Sequence, residues 1–206
     1  MENLFDYMRE GGVFIYPIIG GALWAFALLV ERTIFYLQTA SRMTKMRRTF
    51  FERLAHDGID EAATWLDTQR NSLFKTVLKT ALAHRALGPE RVERKLEVIL
   101  LREMPAYARY LNLLSTLAGL MPIFGLLGTV SGMIATFKVI ALQGTGDAQA
   151  MASGIAEALL TTQAGLVAAA PIILGHTLLR NRLRHITDIL RESSTLVLDY
   201  LKSHHA

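Results

Sequence analysis

Three stretches of this chain are so long and so apolar that they leave few environments open to it. The first, VFIYPIIGGALWAFALLV, covers residues 13–30 and extends past Glu31 and Arg32 to Leu37. The second runs from about Leu111 to Leu142 with Lys138 as its one interruption, and the third from Ile155 to Leu179 with Glu157 near its start. A helix that crosses a hydrocarbon core of ~30 Å needs about 20 mostly apolar residues, because each residue rises about 1.5 Å. All three stretches meet that length, and 51% hydrophobic residues in a chain of 206 is the composition of a membrane protein. Backbone polar groups in lipid must be satisfied within the segment, so the expected fold is an all-α integral membrane protein with three transmembrane helices. As one helix the second stretch would be about 48 Å long, more than the core requires, and it is expected to project from the membrane at its Arg109 end.

The basic residues set an expected orientation. Fifteen Lys and Arg, from Arg32 to Arg109, lie between the first and second stretches, and Arg180, Arg182, Arg184, Arg191 and Lys202 follow the third. The other side has Arg9 and a short loop at 143–149 with no Lys or Arg. The positive-inside bias then places the N-terminus outside and the C-terminus in the cytoplasm. The expected layout is an outer segment at 1–12, a first span at 13–37, a cytoplasmic helical region at 38–108, a second span with a cytoplasmic extension at 109–142, an outer loop at 143–152, a third span at 153–179 and a cytoplasmic helix at 180–206. The acidic N-terminus, with Glu2, Asp6 and Glu10, does not read as a cleaved signal.

The same topology explains the net charge of +4 without a nucleic-acid partner. No cysteine is present, which excludes disulfides, thiolate chemistry and Cys-based metal sites. The histidines, His56, His84, His176, His185, His204 and His205, lack metal-ligand spacing with a carboxylate partner, and Gly144-Thr-Gly-Asp147 lacks the Gly-Lys-Ser/Thr end of a phosphate loop. No enzyme, cofactor or metal is expected. In the cytoplasmic region helices are expected to break at Asp57-Gly58 and at Gly88-Pro89, with a helix over 90–104 carrying an apolar stripe of Val92, Leu96, Ile99 and Leu100. The tail repeats the pattern with Leu183, Ile186, Ile189 or Leu190, Leu196 and Val197.

Helical periodicity gives the second and third spans two unlike walls each. In the second, Pro122, Gly125, Gly128, Thr129, Gly132 and Thr136 share one face, and Leu127, Val130, Ile134 and Lys138 the other. In the third, Gly154, Glu157, Ala158, Thr161, Thr162, Gly165, Ala168, Ala169 and Gly175 oppose Leu159, Leu166, Ile173 and Leu174. Gly128 and Gly132 form a G-x-x-x-G, and Gly125, Gly128, Gly132, Gly154 and Gly165 are candidate helix-packing glycines. A threonine in a span can bond its own i−4 carbonyl, so simple packing accounts for any one of them. Threonines on two small walls with a carboxylate at one end point instead to a polar cavity or pore lined by Thr129, Thr136, Thr161 and Thr162. Glu157 lies near a span end, where an interfacial or inter-subunit role and an ion-pathway role both fit.

These residues carry a resemblance. GLLGTVSGM at 125–133, and GIAEALLTT at 154–162 with Gly165, Ala168, Ala169 and Pro171, resemble the paired motifs of the MotA/TolQ/ExbB proton-channel family. Both blocks occur in order on the expected spans, and Gly11-Gly12, Pro17 and Glu31-Arg32 extend the likeness into the first span, toward the ExbB branch over TolQ. The resemblance implies a bacterial inner-membrane ring of identical subunits, a pentamer in the ExbB branch, whose second and third spans line a pore. That pore would enclose an ExbD-type single-span partner carrying a proton-binding aspartate. By position Thr129 and Thr162 match the family's pore-lining threonines and Glu157 its glutamate at the start of the last span, whereas Thr161 departs from the pattern. Proton flow would drive motion that a TonB-type protein passes on to transport across the outer membrane. A TolQ-like role in the Tol-Pal envelope system, and an uncoupled scaffold or channel, stay open.

Overall fold

The computed structural model describes residues 11–144 and 148–204. The expectations placed on residues 1–10, 145–147 and His205 lie outside them. The described residues form α1 (Ile15–His56), α2 (Ile59–Thr68), α3 (Leu73–Ala83), a 3-10 turn (Arg85–Leu87), α4 (Pro89–Gln143) and α5 (Ala148–His204), with no strand among them. Helices α1, α4 and α5 are each long and apolar enough to cross a membrane, as the three apolar stretches require.

The breaks follow backbone chemistry. Gly58 and Gly88 adopt φ of +87° and +85°, a region costly for any residue with a Cβ, and they end the first and second breaks where the sequence places them. Pro89 then opens α4, where its missing N–H costs nothing. A third break, between Thr68 and Leu73, carries no Gly or Pro and is absent from the sequence reading. It is built from side chains: Ser72 caps α3 by accepting the Lys75 backbone N–H at 3.2 Å, and the Lys75 Nζ donates to the Asp67 and Gln69 carbonyls at 2.8 and 2.7 Å.

Two expectations are corrected. The helix expected to stop at Met104 instead passes through Pro105 into the second span as one element of 55 residues. Pro105 is exposed, so the carbonyl its ring leaves without a partner can be met by water. The outer loop expected at 143–152 is shorter, because α5 already begins at Ala148 and α4 ends against Gly144 at φ +70°.

The chain divides into two compact units. The first comprises the described residues through Arg32 and Tyr110–Leu178. Its three apolar windows are only 17%, 33% and 28% buried, so most of their bulky surface faces outward. Leu127, Val130 and Ile134 on α4 and Leu159, Leu166, Ile173 and Leu174 on α5 are all exposed.

The second unit comprises Thr33–Arg109 and the described residues from Leu179. It has a side-chain core: Tyr36, Met43, Phe50 and Leu54 recur at helical spacing on α1, and Phe74, Val77, Leu78, Ala81 on α3, Val92 and Leu96 on α4, and Ile186, Leu190, Val197 and Leu201 on α5 are buried. Leu196, expected in the tail stripe, is exposed, and Leu198 and Leu201 take the buried positions. The Tyr36 hydroxyl donates to the Tyr107 carbonyl at 2.6 Å. Ion pairs ring this core, Arg47 with Glu192, Arg85 with Asp60 and Lys79 with Asp67. The Lys79 ammonium hydrogen-bonds Asp67 and holds that carboxyl below the usual carboxylate range. Burial pushes the Tyr107 phenol above its ordinary value.

Candidate functional site

The small residues of α4 and α5 meet each other. A Cβ on Gly125 would come within 3.0 Å of the Thr162 Cα and 3.2 Å of the Thr161 carbonyl, and one on Gly165 within 2.6 Å of the Met121 carbonyl. A Cβ on Gly132 would lie 2.7 Å from the Gly154 carbonyl and 2.8 Å from the Ala158 Cβ. Gly128 faces the Thr161 side chain, and Gly154 faces Thr136. All five packing glycines thus lie in the contact between α4 and α5, Gly125, Gly132 and Gly165 against backbone atoms and Gly128 and Gly154 against threonine side chains, an approach possible only without a Cβ. The two small walls close on one another within a single chain and form a seam.

This closure sorts the four threonines. Thr136 is 4% exposed, with its hydroxyl on the Gly132 carbonyl at 3.0 Å, and Thr161 is fully buried. The Thr161 hydroxyl lies 2.7 Å from the Gly11 carbonyl and 2.8 Å from the Glu157 carbonyl. Thr162 is half-buried and donates across the seam to the Gly125 carbonyl at 2.9 Å. Thr129 is half-buried on the flank of the α4 small face and bonds the Leu126 carbonyl of its own helix at 2.7 Å. Within this one chain the two small walls fill each other, and of the four threonines Thr129 and Thr162 are the two that keep surface beyond the seam.

Glu157 is half-buried, and its carboxylate occupies the space that a Cβ on Gly12 would take. Gly12 has φ +65° and stands just before α1, with its carbonyl accepting the Ile15 N–H at 3.4 Å. The unsatisfied N–H groups of the first turn of α1 give that helix end partial positive charge, which favours a carboxylate beside it.

Two further features escaped the sequence reading. Gly21 of α1 receives the tip of Met121, whose Cε would stand 2.5 Å from a Cβ there, so the first span also packs through a glycine. Arg32 is 8% exposed, with its guanidinium 4.2 Å from the Tyr110 ring centroid and its Nε 2.7 Å from Glu31. A cation at the end of a span needs a counter-charge and a polarizable face, and Glu31 and Tyr110 supply both. The adjacent Glu31-Arg32 pair was the available signal. The first unit also has an apolar groove lined by Ile19, Leu23, Phe26 and Leu29 of α1 with Ala168, Pro171 and Ile172 of α5, which holds no polar side chain. No cluster of three or more metal-ligating residues occurs among the described residues.

Comparison with known proteins returns a family and a set of relatives. Residues 66–192 match the model of the MotA/TolQ/ExbB proton channel family. The chain is similar to the biopolymer transport protein ExbB-like 3 of Synechocystis sp., 28% identical over 197 residues that cover 94% of this chain and 93% of the relative. It is similar to ExbB-like 1 of the same organism, 31% identical over 81% of this chain and 66% of the relative. The Tol-Pal system protein TolQ of Haemophilus influenzae is 25% identical over 89% of this chain and 87% of its own length.

Proposed function

The chain belongs to the MotA/TolQ/ExbB proton channel family, and from that premise we propose that it is an ExbB-type ring subunit of a motor driven by the proton-motive force. In this reading it sits in a bacterial inner membrane with its N-terminus outside and its C-terminus in the cytoplasm. Identical copies, five in the ExbB branch, surround an ExbD-type partner, and a TonB-type protein carries the work to the outer membrane. The observation that carries the reading is the division of surfaces in the first unit. The glycine seam is satisfied inside one chain, while two thirds or more of each apolar window is left for lipid and neighbouring copies.

The sequence also argues for a partner. Between Leu111 and Leu179 the acidic residues are Asp147 and Glu157, so the second and third spans hold no mid-span carboxylate to carry a proton unaided. Thr129 and Thr162 then face the partner's carboxylate as hydroxyl hydrogen-bonding groups. The driving force is ample at roughly 2.3 kcal/mol per charge per 100 mV. Glu157 belongs to the interface or the ion pathway at the outer end.

Reconstitution tests the reading. Rings combined with an ExbD-type partner should conduct protons, and rings alone should not. Thr162→Val should abolish that flux and leave the ring mass unchanged, with a smaller loss for Thr129→Val. Equal flux from rings without a partner would overturn it. Because the chain lacks cysteine, single cysteines at Gly144 and Ser203 report orientation directly, the first labelled from outside and the second from inside. A TolQ-like role is the second reading, favoured by the TolQ relative's near-full coverage of the chain. Complementation separates the two, through TonB-dependent uptake for one and outer-membrane integrity for the other.

A further inference from the structure

The contact between Glu157 and the backbone ahead of α1 carries a role that the family motif does not specify. Three observations converge on residues 11 and 12. A Cβ on Gly12 would fall on the Glu157 Oε1, 2.9 Å from its Cδ and 3.3 Å from its Cγ, so the whole end of that side chain lies over the glycine. The φ of +65° at Gly12 turns the backbone so that its bare Cα faces α5. The neighbouring Gly11 carbonyl is held by the fully buried Thr161 hydroxyl at 2.7 Å, one turn along α5 from Glu157.

We propose that Gly12 is a positioning residue for Glu157: its missing side chain forms a seat that fixes the carboxylate at the outer end of α5, and the Thr161 bond to Gly11 holds the seat in place. The proposal deepens the motor reading and rests on it for its consequence, since a carboxylate fixed in one place can serve a proton pathway or a ring interface reproducibly. The seat itself is a property of the folded chain.

The seat predicts a specific epistasis. Gly12→Ala places a methyl group where Oε1 now lies, and Glu157→Asp, one methylene shorter, withdraws the carboxylate from that space. In full-length rings with an ExbD-type partner, Gly12→Ala should lower proton flux by about tenfold or more, the scale on which small misplacements act. The double variant Gly12→Ala/Glu157→Asp should recover to within about threefold of Glu157→Asp alone. In detergent, the Tm should fall for Gly12→Ala by roughly 3 °C or more and be restored in part by the second change. Gly144→Ala, at φ of +70° with open space around it, is the control for the cost of a positive φ by itself. The proposal is overturned if Gly12→Ala matches wild type, if its Tm loss equals that of this control, or if Glu157→Asp rescues neither Tm nor flux. Should the Tm epistasis hold while no ring conducts with its partner, the seat stands and the motor reading fails.

Discussion

The two units solve the same problem, holding helices together, with opposite materials. In the second, large side chains fill the core, Tyr36, Phe50, Leu66, Phe74, Leu78, Leu96, Ile186 and Leu190, and charged pairs lie around them. In the first, the tightest contacts are made by Gly125, Gly128, Gly132, Gly154 and Gly165, with Ile15, Ile18, Leu114 and Met121 buried, while Leu127, Val130, Leu159, Leu166 and Leu174 point outward. Water explains the former: burying an aromatic or leucine side chain removes apolar surface from solvent and stabilises by about 1.5–3 kcal/mol each. Lipid removes that gain, because acyl chains solvate leucine as well as another leucine does, so helices in a bilayer hold by close backbone approach and dispersion. The difference between the units is thus a reading of the medium each one occupies.

That comparison can be broken or sharpened by substitution, and the largest effect is expected in the second unit. Phe74→Ala should destabilise by about 3–5 kcal/mol, because it opens a cavity among residues with no free surface. A near-neutral result would mean that the second unit is not held by its core. Next, Gly165→Ala should cost about 1–3 kcal/mol, since its methyl meets a backbone carbonyl that cannot yield, whereas Gly119→Ala, with open space around it, should lie within about 0.5 kcal/mol of wild type. Thermal unfolding in detergent measures both, and equal responses at the two glycines would remove the seam as an explanation.

A smaller effect is expected at Thr162. Its bond to the Gly125 carbonyl crosses the seam, and interhelical hydrogen bonds in membranes average about 0.6 kcal/mol with a maximum near 1.7, so Thr162→Val should lower stability only slightly. A loss of assembly would return Thr162 to a packing role. The smallest effect belongs to the exposed pair of Asp67 and Lys79. The lowered pKa of Asp67 means that its stabilising contribution is present above the usual carboxylate range near pH 4 and fades as pH falls through the lowered value. Lys79→Ala should lower the Tm slightly at neutral pH, and its difference from wild type should close as the pH falls, which a Tm series from pH 6 to pH 3 would show.

The spans could be read from the sequence because length and apolarity alone decide them, and the breaks at Gly58 and Gly88 because positive φ selects glycine. The break before Leu73 could not be read with the same ease: it depends on a serine cap and on Lys75 reaching back over six and eight residues, both common residue types. Pro105 misled in the other direction, since an exposed helix face tolerates the proline that a buried one would reject. At the candidate site a helical wheel identified the small walls correctly as faces, but a wheel has no information on what lies opposite. That is why neither the seam within one chain nor the contact of Thr161 with a carbonyl 150 residues away had a signal in periodicity.

The Thr161 hydroxyl carries one hydrogen and stands within bonding distance of two carbonyls, that of Gly11 and that of Glu157. At any instant it serves one of them. Were the segment at Gly11 to lift away, the hydrogen would swing to the carbonyl of its own helix, and no polar hydrogen would be left stranded in hydrocarbon. The start of the first span is therefore fastened by a bond whose release has been provided for, a catch that opens without an orphan on the α5 side.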